Sequence, residues 1–301
     1  MNKPSFILVV VDRAHDASEP IAKAVALARQ SGARIELFLC ESELAYELAH
    51  AYDREGIDRS RAASTSQART YLADLKALAN APDLDITLDV SCESPMYEGI
   101  VRKVLHSRPD LVIKGTAGRE RRRRTLDPND WQLARTCPLT VMLTRGRPWR
   151  HPPRFAAAVD ASEQESGSLS QDVITAARTL ASAAQARLEV LYAESGSSKE
   201  FLPLRMERLR SLCEAAGITS DRMHVLHGAP EQTLLPFARA QVYDALILGA
   251  LTHHRADSVP LGTLTSQLLD TLDCDFILVK PAGYRSPVGV RPAAGPQRCV
   301  G

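Results

Sequence analysis

Short apolar runs alternate with longer amphipathic stretches in the first half of the chain. Five runs of at most eight residues are apolar on both faces, and they cover 5–12, 34–40, 85–91, 110–115 and 139–144. Between them, apolar positions recur at helical spacing over 20–30, 44–79, 96–106 and 129–135. Strands that are apolar on both faces and alternate with helices are typical of a parallel sheet covered by helices on both sides. The pattern therefore predicts an α/β fold.

The second half repeats this pattern. Its apolar runs are 154–160, 187–193, 222–228, 244–249 and 275–280, and its helical stretches are 172–184, 205–215, 231–240 and 261–272. The strand end VVVD recurs as AAVD, DLVIKG (110–115) recurs as DALILG (244–249), and RTCPLTVMLTR (135–145) recurs loosely as DCDFILVK (273–280). A repeat at this level indicates an internal duplication, so we expect two similar domains of five strands each.

Composition changes at two places that mark domain boundaries. RGRPWRHPPR (145–154) has three prolines and no periodicity, which is typical of a linker. The last 19 residues are rich in Gly, Pro and Arg, so we expect them to be disordered. The predicted division is a first domain at 1–145, a linker at 146–153, a second domain at 154–282 and a tail at 283–301.

Charge and cysteine content restrict the possible partners and compartment. Lys and Arg total 37 against 36 Asp and Glu, which gives no overall reason to expect nucleic acid or an anionic membrane as a partner. The six cysteines form no Cys-x-x-Cys pair, so we expect a reducing compartment rather than a disulfide scaffold. The apolar run Phe6–Val11 is short for a signal peptide, and no stretch approaches the ~20 apolar residues of a membrane span. We predict a cytoplasmic protein without a membrane span.

Candidate chemistry lies at the carboxyl ends of the predicted strands, where parallel α/β sheets bind their ligands. Asp12 and Asp160 end the first strand of each half, and loops follow Gly115 and Gly249. The loop after Gly249 leads to Gly262, where a helix is predicted to begin, and the N–H groups of a helix N-terminus bind phosphate. Alternatively, the Gly-Thr pair at this position only begins the helix, because Thr is a common N-cap.

Several segments resemble the universal stress protein family. The duplicated strand ends, HGAPEQTLLPFA (227–238), GTLTSQLL (262–269) and above all DPNDWQLARTCPLTVMLT (127–144) look like the tandem, E-type branch of that family, and the resemblance covers about residues 4–282. It implies two five-stranded parallel domains of the adenine nucleotide alpha-hydrolase-like type that pair as an intramolecular pseudo-dimer. It also implies a role in the stress response.

Nucleotide-binding members of the family carry Gly-x-x-Gly, nine residues and then Gly-Ser/Thr after the fourth strand. The second half keeps this spacing and its outer glycines, but Thr252 replaces the middle glycine and adds a β-branched side chain. The resemblance implies ATP as ligand, with Mg²⁺ only if ATP is bound, and an Asp at the first strand end that contacts the adenosine. The implied binding residues are Asp160, Gly249, Thr252, Gly262, Thr263, Leu264 and Thr265.

The first half departs further from the pattern. Pro128 stands where the Gly-Ser/Thr pair belongs, and proline lacks an N–H for a phosphate. We therefore expect a degenerate site that does not bind a nucleotide in the family's manner. The run of arginines before it is either a solvated loop or an anion clamp, and its lack of aromatic neighbours disfavours RNA. The residues of this degenerate site are Asp12, Gly115, Gly118, Arg121 and Arg122.

Three functions remain open from the sequence. One is a stress-response protein whose second domain binds ATP as a regulatory ligand. Another is a non-nucleotide tandem module that binds an apolar or acyl-bearing ligand or a protein partner, for which ELAYELAHAY (43–52) offers apolar positions at helical spacing. The third is a slow ATP hydrolase, although the spacing indicates no catalytic set. Adjacent histidines such as His253 and His254 are more often surface residues than metal ligands, so no metal site is predicted. Pairing of chains into a homo-oligomer stays open.

Overall fold

Ten strands form in the order that the apolar runs predict. The computed structural model describes residues 3–42, 54–116, 126–161, 169–194, 202–250 and 261–289. In the first half the strands are β1 Phe6–Val11, β2 Arg34–Cys40, β3 Ile86–Ser91, β4 Leu111–Gly115 and β5 Val141–Thr144. In the second half they are β6 Arg154–Val159, β7 Arg187–Glu194, β8 Met223–His227, β9 Ala245–Gly249 and β10 Asp275–Val279.

The helices follow the amphipathic stretches between these strands. Their bounds are α1 Ser18–Ser31, α2 Arg54–Ala79, α3 Met96–Ser107, α4 Pro128–Thr136, α5 Leu169–Ala184, α6 Leu202–Ala215, α7 Pro230–Gln241 and α8 Thr263–Thr271. Helix α2 is the later part of the stretch predicted at 44–79, and residues 43–53, which include the apolar stripe, lie outside the described residues.

All ten strands belong to one sheet with the order β3-β2-β1-β4-β5-β10-β9-β6-β7-β8. The strands of each half are parallel, and the halves join where β5 and β10 pair antiparallel, with Met142 opposite Ile277. An antiparallel pair of equivalent strands relates the two halves by an approximate two-fold axis. The predicted tandem α/β fold, with its halves paired as an intramolecular pseudo-dimer, is therefore confirmed.

The core lies on both faces of this sheet because neighbouring strand residues point to opposite sides. In β1, Ile7 and Val9 are buried on the face of the sheet that α1, α2, α5 and α6 cover. Leu8 and Val10 are buried on the other face, which α3, α4, α7 and α8 cover. In the described part of the chain the helices thus cover both faces of the sheet, and the strand ends are the candidate places for ligands.

A buried ion pair connects the first domain to the start of β10. Lys23 of α1 lies 2.8 Å from Asp275, and the two side chains are 3% and 2% exposed. Asp275 also accepts hydrogen bonds from the backbone N–H of Arg145 at 2.9 Å and from the indole N–H of Trp149 at 2.7 Å. These donors compensate the cost of burying the carboxylate between the two domains.

Each domain also supplies a cation to the C-terminal end of the other domain's last helix. Arg145 follows β5 and donates to the carbonyl oxygen of Leu269 in α8. Lys280 follows β10 and donates to the carbonyl oxygens of Ala134 at 2.6 Å and Arg135 at 3.1 Å in α4. The last carbonyls of a helix have no partner within the helix, so these reciprocal contacts stabilise the domain interface.

Residues 283–289, which the composition assigned to a disordered tail, pack against the body. Tyr284 donates from its hydroxyl to the carbonyl oxygen of Arg135 at 2.9 Å, and Val288 is buried. These seven residues therefore belong to the packed structure, while residues 290–301 lie outside the described residues. None of the described helices is both long and apolar enough to cross a membrane.

Candidate functional site

The second-domain candidates lie at one edge of the sheet. Asp160 directly follows β6, Gly249 is the last residue of β9, and these two strands pair in parallel. Helix α8 begins at Thr263, and the hydroxyl of Thr265 reaches the carbonyl oxygen of Gly249 at 3.5 Å. The strand ends and the helix N-terminus are therefore neighbours, as a nucleotide site requires.

The N-terminus of α8 has no side-chain cap. Its N-cap is Gly262, with φ −51° and ψ 149°, and this glycine has no side chain that could accept a hydrogen bond from the first turn. The first helical bond runs from the N–H of Ser266 to the carbonyl oxygen of Gly262 at 2.9 Å. The N–H groups of Thr263, Leu264 and Thr265 precede that bond, so they have no acceptor within the helix and suit an anion.

The two threonines of α8 differ in what their hydroxyls can reach. Thr263 is exposed at the first position of the helix. Thr265 is 9% exposed, and its hydroxyl is directed at Gly249 on the strand. Leu264 packs against the core. Of the two hydroxyl donors expected from the sequence, Thr263 is the one that faces outward.

The glycines that end β4 and β9 also have a packing role. A Cβ at Gly249 would lie 2.7 Å from Cδ2 of Leu169, at the start of α5. A Cβ at Gly115 would lie 3.0 Å from Cγ of Pro20, at the start of α1. Close packing of the first helix of each domain therefore explains both glycines without reference to a phosphate.

Asp160 lies beside a cleft of the second domain. Its backbone N–H donates to the hydroxyl of Ser170 at 3.1 Å, and that hydroxyl donates to the carbonyl oxygen of Asp160 at 2.8 Å. The residue is exposed. A cleft of about 400 Å³ begins at the next residue and is lined by Ala161, Leu204, Arg205, Glu207, Arg208 and Ser211.

At the equivalent edge of the first domain, Lys114 forms a buried ionic network. Its ammonium lies 3.0 Å from Asp12 and 2.7 Å from Asp130, and both Lys114 and Asp130 have fully buried side chains. Burial opposes ionisation, but Lys114 lowers the pKa of Asp12, while Asp130 and Asp12 raise the pKa of Lys114. Burial raises the pKa of Asp130 to about 6 despite the opposing effect of Lys114. This network occupies the space beside Asp12 with the protein's own charges.

A carboxylate caps the N-terminus of α4. Asp127 is the N-cap, and its Oδ1 accepts a hydrogen bond from the N–H of Asp130 at 2.9 Å. Pro128 follows at the first helical position, where its missing N–H costs nothing. The helix terminus thus carries a negative charge of its own, a second physical reason, besides Pro128, to expect no phosphate here.

Alignment of the two repeats shows how the sites diverge. From DLVIKG and DALILG, Lys114 corresponds to Leu248, which is buried. From the N-caps of α4 and α8, Asp127 corresponds to Gly262, and three residues later Asp130 corresponds to Thr265. Lys114 and Asp130 are not among the site residues predicted from the sequence. The sequence signal for Lys114 is a lysine within an otherwise apolar strand, at a position where the other repeat has a leucine.

Several predicted site residues lie outside the described part of the chain. They are Thr252 in the second domain and Gly118, Arg121 and Arg122 in the first. Their assignments stay predictions.

The family resemblance is confirmed by comparison with known proteins. The model of the Universal stress protein family matches residues 6–145 and 154–280. Universal stress protein E of Photorhabdus laumondii is 25% identical over 303 residues, with 94% of this chain and 96% of the relative covered. Universal stress protein E of Escherichia coli K12 is 24% identical over 302 residues, with the same coverage of 94% and 96%.

Solved structures agree on the fold. A functionally unknown protein from Pseudomonas aeruginosa PAO1 superimposes with a TM-score of 0.72 at 20% identity and covers 92% of this chain and 93% of its own. A universal stress protein from Archaeoglobus fulgidus superimposes with a TM-score of 0.69 at 11% identity, covering 92% and 98%. With family matches over both halves, the chain belongs to the universal stress protein family and carries two of its domains in tandem.

Proposed function

We propose that the second domain binds ATP as a regulatory ligand in a stress response, and that the first domain does not bind ATP. One observation carries this proposal: the N-terminus of α8 has no side-chain cap, whereas a carboxylate caps the equivalent α4. The reducing cytoplasm that the cysteine pattern predicts is the proposed location.

Charge supports the assignment of phosphate to the second domain. In the first domain a phosphate would meet the carboxylates of Asp127 and Asp130 close to the helix N-terminus. In the second domain the same positions are Gly262 and Thr265, which carry no charge. The partial positive charge of a helix N-terminus favours an anion only where no fixed anion has already taken that position.

The surroundings of Asp160 support a nucleoside beside that phosphate position. A carboxylate accepts hydrogen bonds from ribose hydroxyls, and Asp160 is exposed at the end of β6. In the first domain, the side chain of Asp12 is 11% exposed and lies 3.0 Å from the buried ammonium of Lys114. The cleft that begins at Ala161 gives the remainder of the ligand a concave surface.

Calorimetric titration of Mg-ATP into the full chain and into Gly262→Asp tests this proposal. The backbone of Gly262 (φ −51°, ψ 149°) resembles that of Asp127 (φ −69°, ψ 163°), so aspartate fits the N-cap geometry. Its carboxylate would take an N–H from the phosphate, and losing one charge-assisted hydrogen bond costs roughly 1.5–3 kcal/mol, or about 10- to 150-fold in affinity.

A matched control separates the effect of capping the helix from the effect of adding a negative charge to it. Gln267 is exposed on the same helix, away from its N-terminus, so Gln267→Glu adds the same charge without capping α8. We expect the wild type and Gln267→Glu to bind ATP and Gly262→Asp to lose affinity. Equal affinities in all three proteins, or no binding by the wild type, would refute the proposal.

A further inference from the structure

Asp12, His15 and Asp127 converge at the edge of the buried network of the first domain. One potential ligand atom from each lies within 4.8 Å of the other two. Asp12 and His15 come from the turn after β1, where the N–H of His15 donates to the carbonyl oxygen of Asp12 at 3.0 Å. Asp127 comes from the start of α4. Two separate elements thus bring three ligand-type side chains to one point.

The imidazole of His15 is buried, and one of its two nitrogens lacks a hydrogen bond within the described part of the chain. Its side chain is 7% exposed, and its Nε2 has no hydrogen-bond partner among the described residues. The Oδ2 atom of Asp127 lies 3.7 Å from this nitrogen, too far for a hydrogen bond. Two ligands at roughly 2.1 Å from a tetrahedral zinc ion are about 3.4 Å apart, so the observed separation is close to that of two ligands on one cation.

The carboxylates of Asp12 and Asp127 still have lone pairs with which they could bind a cation. Asp127 uses Oδ1 to cap α4, and its Oδ2 faces His15. Asp12 accepts the N–H of Ala14 with Oδ1 and the ammonium of Lys114 with Oδ2. Each carboxylate oxygen has two lone pairs, so these contacts do not exhaust either group.

The net charge of the network also favours a cation. Asp12, Asp127 and Asp130 carry three negative charges, Lys114 carries one positive charge, and the buried guanidinium of Arg145 also interacts with Asp130. With His15 neutral, these five charged side chains carry a formal charge of −1. Oδ2 of the fully buried Asp130 has no hydrogen-bond partner in the described part of the chain. Buried charge of one sign is costly unless it is paired or coordinates a metal ion.

We propose that Asp12, His15 and Asp127 bind a divalent transition-metal cation such as Zn²⁺. An imidazole nitrogen with two carboxylate oxygens suits Zn²⁺ better than Mg²⁺ or Ca²⁺, which prefer all-oxygen ligand sets. Three protein ligands leave a coordination position for water. The duplicated edge of the sheet would then hold ligands of opposite charge, a cation in the first domain and an anion in the second.

Calorimetric titration of Zn²⁺ into the chelator-treated full chain, without nucleotide, tests this site. We expect one saturable site per chain and at least a tenfold loss of affinity in both His15→Gln and Asp127→Asn. Asparagine is also a good N-cap, so Asp127→Asn removes the charge while keeping an acceptor for α4. His106→Gln is the control, because His106 is an exposed histidine in the last turn of α3 and should bind zinc as the wild type does.

The variants distinguish this site from other histidines of the chain. Zinc binding that is unchanged in His15→Gln and Asp127→Asn would assign the metal elsewhere and overturn the proposal. Absence of saturable zinc binding by the wild type would also overturn it. Circular dichroism shows whether each variant folds, and if one substitution prevents folding, the other decides. None of these outcomes depends on ATP.

Discussion

Replacement of Lys23 by methionine should reveal how strongly the two domains depend on their buried ion pair. Lys23 and Asp275 are 2.8 Å apart and almost fully buried. Methionine nearly preserves the length of the lysine stem but removes the ammonium. Asp275 then stays buried between the domains without the cation that lies 2.8 Å from it in the described structure. Two hydrogen-bond donors remain to it, from Arg145 and Trp149.

The expected cost follows from this burial. Removing one partner of a buried ion pair typically destabilises a protein by roughly 3–5 kcal/mol, because the remaining charge is left uncompensated. The two remaining donors reduce that cost, so we expect about 3 kcal/mol, toward the lower end of that range. A surface pair costs far less when broken, typically about 0–1 kcal/mol.

The cost should also depend on pH in a defined direction. Burial already raises the pKa of Asp275 above its ordinary value, although Lys23 opposes that shift. Without Lys23 the pKa of Asp275 should rise further. A carboxyl whose pKa is raised on folding destabilises the native state at higher pH, and the penalty falls as the pH falls through the folded pKa. The variant should therefore approach the wild type in stability as the solution is acidified.

Guanidinium unfolding, followed by tryptophan fluorescence at neutral and mildly acidic pH, measures both effects. Trp149 donates to Asp275 and so reports on this junction. Arg29→Met is the control, because Arg29 pairs with Asp83 on the surface of the same helix, where the side chains are 48% and 52% exposed. If Lys23→Met costs no more than Arg29→Met, or costs more at acidic pH, this reasoning about the junction is wrong.

Three further variants have distinct outcomes. Gly249→Ala places a Cβ 2.7 Å from a side-chain atom of Leu169 and should lower stability by roughly 1–3 kcal/mol in thermal unfolding. Burial lowers the pKa of Lys280 to about 8, so its positive charge destabilises the native state at lower pH. The stability of the wild type relative to Lys280→Met should therefore rise by up to about 3 kcal/mol between pH 8 and pH 10.5. Leu248→Lys with Thr265→Asp rebuilds the first-domain network in the second domain and should lower ATP affinity at least about tenfold in calorimetry while the protein stays folded.

The fold could be predicted from the sequence because its signals are local. Strands buried on both faces are apolar throughout, and helices between them bury one face, so both periodicities mark their elements directly. The helix predicted over 129–135 is α4, which extends one residue further at each end. The tail was predicted less well, because the contact from Tyr284 to Arg135 joins residues 149 positions apart, and composition does not report such contacts.

The candidate site could be predicted only in part, for the same reason. The spacing from Gly249 to Gly262 identifies the loop and the helix that follows the fourth strand of the second domain. It does not reveal that Lys114 neutralises Asp12, because 102 positions separate the two residues. The periodicity of β4 also does not show whether Lys114 lies at the surface or is buried between two carboxylates.

The number of ATP molecules bound per chain tests most directly whether the two domains have diverged in function. Calorimetry of the full chain against Mg-ATP measures this stoichiometry, given the concentration of folded protein. Since α8 lacks a side-chain cap and α4 is capped by Asp127, we expect one ATP per chain, lost on Gly262→Asp. Two ATP per chain would show that the capped helix also accepts a phosphate, and none would show that the second domain is not a nucleotide site.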